Sequence, residues 1–119
     1  MDILNNIKAS EKNGGIDLSK LPPGTRVEAQ TLNTLYKICV VGDGTFEVEG
    51  GKYFPSPTVT RIAGSTWGGS MLKMKWLGVD MHIEMANPNP TGGRIMTTTA
   101  VKSLKVIAPD GSWEYTLGT

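Results

Sequence analysis

With 12 basic and 11 acidic side chains in 119 residues, the chain sits near neutrality, which leaves no bulk field to hold nucleic acid or an anionic lipid surface. The length suits one domain around one core, and the single Cys39 excludes an internal disulfide framework and fits a reducing, cytoplasmic compartment. The opening MDILNNIKASEKNGG lacks the basic start and apolar centre of a secretory leader, and no later run approaches the roughly 20 apolar residues of a membrane helix, so no membrane is expected as a partner.

Asp2 is placed to cap a short helix in which Ile3, Leu4 and Ile7 share a face and Asn13, Gly14 and Gly15 stop the run. At roughly 10 residues such a helix is marginal alone in water, so residues 1–20 read as an arm that docks or stays loose. Leu21, Pro22, Pro23 and Gly24 then form a stiff turn that opens a β region, residues 21–119.

Period-2 alternation governs the chain from Thr25 onward. Val27 and Ala29 oppose Arg26, Glu28 and Gln30; Leu35 to Val41 reverses at Gly42-Asp43-Gly44 into a strand with Phe46 and Val48 on one face; Gly50 and Gly51 reverse it again, and Pro55 and Pro57 are expected to interrupt pairing. Thr58 to Ala63 resumes an extended pattern. Beyond the glycine-rich stretch Gly64 to Ser70, Leu72, Met74 and Trp76 alternate with Lys73 and Lys75, and Met81, Ile83 and Met85 alternate with His82 and Glu84. These two runs are expected to pair as a hairpin and to send their apolar sets into the core with Val27, Phe46 and Val48.

Asn87 to Gly93 reads as an exposed loop. In the last long strand Ile95, Thr97, Thr99 and Val101 share one parity and Leu104 and Val106 the other, which predicts a bulge near Lys102 and Ser103. Pro109-Asp110-Gly111 closes a final hairpin with Trp113, Tyr115 and Leu117 inward. About six to eight short strands with Gly and Pro turns predict an all-β domain, specifically a small antiparallel barrel.

The strongest candidate site is Gly64, Ser65, Thr66, Trp67, Gly68, Gly69 and Ser70, because clustered glycines permit a turn, a bulge or close approach of a ligand. Backbone N–H groups in such a bend form an anion nest, with hydroxyls as donors and Trp67 as a stacking face; the structural alternative has Trp67 plugging one end of the barrel. The stretch lacks the lysine of a P-loop and the spacing of GxGxxG.

Ser65-x-x-Gly68, followed by apolar residues and a later Gly78-x-x-x-x-Ile83, resembles the second motif of PilZ domains, barrels that bind a cyclic dinucleotide. The resemblance implies a nucleotide-contacting role for Ser65 and Gly68. Where that family has Asp or Asn two positions before the serine this chain has Ala63, and for the upstream arginine pair it offers Lys20 and Arg26.

Lys73, Lys75 and His82, extended by Lys102 and Lys105, make a candidate basic face, and Trp67 with Tyr36 or Tyr53 would give bases aromatic platforms; this is the single-stranded nucleic-acid alternative. Cys39 and His82 are the only thiol and imidazole, so a thiol enzyme would need them together, and no spacing brings them there. No zinc-ligand spacing occurs, and neither metal nor cofactor is expected. The expectation is a non-enzymatic binding or protein-interaction module, with a homodimer formed through an open strand edge or the N-terminal arm.

Overall fold

Runs of β-branched and aromatic residues punctuated by Gly, Pro and Asp turns make strands of most of this chain. A computed structural model describes residues 14–68, 71–88 and 93–118; the expected helix around Asp2, Ile3, Leu4 and Ile7 lies outside them, as do Gly69 and Ser70 and most of the loop before Arg94. The strands are β1 (Gly15–Asp17), β2 (Arg26–Thr31), β3 (Leu35–Gly42), β4 (Thr45–Gly50), β5 (Phe54–Gly68), β6 (Met71–Met74), β7 (Trp76–Gly78), β8 (His82–Ala86), β9 (Ile95–Ile107) and β10 (Glu114–Gly118), with one 3-10 turn at Leu18–Lys20.

Six of them close on themselves. β2 pairs β3, β3 pairs β4, β4 pairs β5, β5 pairs β8, β8 pairs β9, and β9 returns to β2, every pair antiparallel. β6 lies beside β5 and β10 beside β9, outside the ring, and β1 pairs β7 in a separate ladder. The all-β expectation holds, as do the hairpins at Gly42–Gly44 and Pro109–Gly111.

Cross-strand rows fill the inside. Tyr115, Val106, Val27, Ile38 and Val48 follow one another across β10, β9, β2, β3 and β4, and Leu117, Leu104, Ala29 and Tyr36 form the next row. Phe54, Leu77, Ile83 and Met85 complete the same core, joined by Ile16 and Leu18 from the N-terminal arm. On the opposite face of the same strands charges alternate, Lys105 beside Glu28, Glu28 beside Lys37, Lys37 beside Glu49, so each register step places unlike charges together. A slip by one residue would send this row inward, which ties the register to burial.

The bulge expected near Lys102 is present: Gln30 faces Ser103 and Thr31 faces Val101, so Lys102 is the extra residue. A second shift separates His82 opposite Ala100 from Glu84 opposite Thr97. At these two shifts β9 changes face, burying Met96 and Thr98, then Val101, then Leu104 and Val106, and leaving Ile95 exposed.

Pro55 and Pro57 interrupt pairing as expected: residues 55–57 have no partner in the β4 ladder and need no N–H there, although β5 runs on through them. Two expectations are corrected. The run Leu72–Met74 does not pair with Met81–Met85; β6 and β8 both flank β5, with Gly64 and Ser65 facing partners in each. Leu72 and Met74 are exposed, Met74 at 72%, because β6 lies outside the ring, and Trp76, on β7, is only partly buried. Alternation names residues that share a face but does not say which face is inside.

These placements separate two substitutions that look alike in the sequence. Phe54→Ala, at a fully buried site, should lower stability by about 3–5 kcal/mol in urea unfolding, whereas Met74→Ala should stay within about 0.5 kcal/mol of the parent.

Candidate functional site

The glycine-rich stretch divides into a buried part and an exposed one. Gly64 has φ +150 and a side chain there would overlap the Lys73 carbonyl oxygen, so β6 can lie against β5 only because that position is glycine. Ser65 is fully buried; its Oγ donates to the Trp76 carbonyl (2.6 Å) and accepts from the Gly78 N–H (3.2 Å), lacing β5 to β7. Thr66 is buried as well, while Trp67 is 67% exposed and plugs nothing. The hydroxyl that the PilZ resemblance would turn toward a nucleotide is thus engaged inside the fold.

Four of the five residues of the candidate basic face have partners within the fold. Lys73 Nζ sits 3.8 Å above the Trp76 ring, Lys102 pairs with Asp80 at 3.5 Å, and Lys105 pairs with Glu114 at 3.4 Å. His82 Nδ1 donates to the Thr98 carbonyl (2.8 Å), which places the proton on that nitrogen. Lys75 alone of the five stands without such a partner among the described residues. Tyr53 is exposed, but Tyr36 is buried in the core, and burial pushes its phenol above the ordinary range. Cys39 is on β3 and His82 on β8, which are not neighbours in the ring. Among the described residues no group of three or more His, Cys, Asp or Glu is arranged to hold a metal ion.

A concave feature of about 800 Å³ is a cleft that shares only Lys75 with the sites expected from sequence. Residues distant in sequence build it: the segment Leu18–Pro23, the Gly42–Gly44 turn with the strand ends beside it, the middle of β5, the end of β6, and the facing ends of β8 and β9. Val40, Phe46, Ile62 and Met85, all buried, supply an apolar floor. Around it stand three exposed aliphatic side chains, Val41 (48%), Met74 (72%) and Ile95 (58%). The charged lining consists of Arg61, Lys75 and Arg94 with Asp43 and Glu84.

Local chemistry fixes the walls. Gly42 and Gly44 take positive φ and Asp43 tolerates it at φ 53, so the β3–β4 turn is tight, and the Thr45 hydroxyl bonds back to the Gly42 carbonyl (2.6 Å). Asp17 accepts from the Ser19 N–H (2.9 Å) and begins the 3-10 turn that presents Leu18. The Asn87 N–H donates to the Arg94 carbonyl (2.9 Å), closing the β8–β9 connection at the cleft. Lys75 holds φ 58 between β6 and β7; its N–H reaches the Ala63 carbonyl and its own carbonyl accepts from Leu18. No local motif announces this site, because its cations come from three separate elements.

Compared with known proteins, the chain matches no family model, no curated protein and no solved structure.

The two parts of the glycine-rich stretch respond differently to truncation. Ser65→Ala strands the buried Gly78 N–H and should cost about 1–3 kcal/mol, read from chemical unfolding. Trp67→Ala at the exposed neighbour should change stability by no more than about 0.5 kcal/mol.

Proposed function

We propose that the strand ring is a small antiparallel barrel serving as a non-enzymatic binding module, with the cleft between the Gly42–Gly44 turn, β5 and the β8–β9 connection as its ligand site. The observation that supports this most directly is the gathering of Val41, Met74 and Ile95 around one apolar depression. Single exposed aliphatic residues need no explanation, but three around a concavity whose floor is already apolar form a patch that a ligand would cover. Its size falls within the roughly 300–1,000 Å³ of small-molecule sites, which favour barrel mouths. Burying such surface yields about 25 cal/mol per Å² before the costs of association.

The nucleic-acid alternative has less support, since four of its five basic residues are engaged elsewhere in the fold. A thiol enzyme has less still, with Cys39 and His82 on strands that do not adjoin.

The test uses the full chain and the uncharged apolar dye N-phenyl-1-naphthylamine. Native protein should bind it with one-to-one stoichiometry, and Ala63→Trp, placing an indole at an exposed cleft-lining position, should abolish binding without lowering the thermal midpoint. Undiminished dye binding by that variant would put the ligand site elsewhere.

A further inference from the structure

The charges around the cleft indicate which ligands it selects, an inference that rests on the binding reading above. Arg61, Lys75 and Arg94 face Asp43 and Glu84, leaving one cation in excess. Among the described residues the ion pairs are Lys102 with Asp80 and Lys105 with Glu114, and neither involves a cleft residue. The cleft cations therefore retain their hydrogen-bonding capacity for an incoming group. Uncommitted guanidinium groups beside apolar walls are matched by a planar anion, which a guanidinium grips with two parallel N–H···O bonds.

Two details bear on the assignment. The Arg61 guanidinium lies beside the β3–β4 turn, 3.5 Å from where a Cβ at residue 44 would stand, an ordinary contact distance that sets it at the cleft edge. Lys75 is one of three non-glycine residues with positive φ among the described residues; the others, Asp43 and Asp80, belong to a type that tolerates this conformation through its short polar side chain. Lysine has no such tolerance and glycine would suit the backbone better. A cation held at a position where the backbone disfavours it, on the edge of an apolar cleft, is explained by what its side chain meets there.

We infer that the cleft binds an aliphatic carboxylate, the chain lying on Val40, Phe46, Ile62 and Met85 and the carboxylate meeting Arg61 and Arg94, with Lys75 adding a third positive charge. The exposed aliphatic residues Val41, Met74 and Ile95 close over the chain.

Displacement of the dye from the full-length protein by three ligands of equal chain length provides the test: decanoate, decan-1-ol and decylammonium. Decanoate should displace it at a concentration at least about tenfold below that of decan-1-ol, the advantage expected of one charge-assisted contact. Arg61→Gln with Arg94→Gln should erase that preference and leave decan-1-ol unchanged. Lys75→Gly should weaken decanoate alone while keeping or raising the thermal midpoint. If the double variant does not fold, the single variants Arg61→Gln and Arg94→Gln are read separately, each expected to narrow the preference. Equal displacement by decanoate and decan-1-ol, or stronger displacement by decylammonium, would overturn the anionic assignment and leave the cleft as a site for apolar ligands. Failure of all three to displace dye would overturn the binding reading and this inference together.

Discussion

Everything in this fold depends on β8 using both of its edges. Four of its five residues pair with β5 on one side and four with β9 on the other, and that double pairing converts a curled sheet into a ring. Without it, long stretches of β5 and β9 would carry unpaired backbone groups, and Ile83 and Met85 would lose the enclosure that buries them. The closure is reinforced by side chains: Thr98 Oγ1 accepts from the Ile83 N–H at 3.0 Å where the β8–β9 register shifts, and the Thr60 hydroxyl reaches the Ala86 carbonyl at 3.1 Å. A register shift strands main-chain donors, and here a threonine side chain satisfies one of them.

The same closure makes the cleft. β4 accompanies β5 only as far as Arg61, and β8 takes up its other edge from Ile62, so Arg61, Ile62 and Ala63 lie where β5 passes from one neighbour to the other. Glu84, Met85 and Ala86 arrive from β8, Arg94 and Ile95 from the start of β9, and the Leu18–Pro23 segment from the arm. A change in pairing partners thus exposes apolar floor and gathers charges from separate elements in one place. The arm is an integral part of this arrangement, since Ile16 pairs with Leu77 and Leu18 contributes to both core and cleft.

Much of the ring was legible from residues alone. The alternation of Val27 with Ala29 and of Phe46 with Val48, the turns at Gly42–Gly44 and Pro109–Gly111, and the parity change at Lys102 are local signals, and each corresponds to an observed strand, hairpin or bulge. The partners of β6 and β8 were not legible, because both runs alternate equally well and alternation carries no information about which strand lies alongside. Ser65 looked like a ligand donor from its glycine neighbours, yet its role is set by Trp76 and Gly78, more than ten positions away. The cleft had no signature: Lys75 stood out only as part of a basic face, Arg61 and Arg94 not at all, and topology brings the three together. Ile95 offered the one hint, since its parity with Val101 would have buried it had the strand not changed face between them.

The central claim is that β8 closes the ring, and nuclear magnetic resonance of the labelled full chain tests it most directly. Cross-strand backbone proton contacts from Met85 should reach both Ile62 on β5 and Met96 on β9, with the amides of β8 exchanging as slowly as those of β2. Contacts to one strand only, with fast exchange along the other edge of β8, would mean an open sheet and would remove the cleft along with the ring.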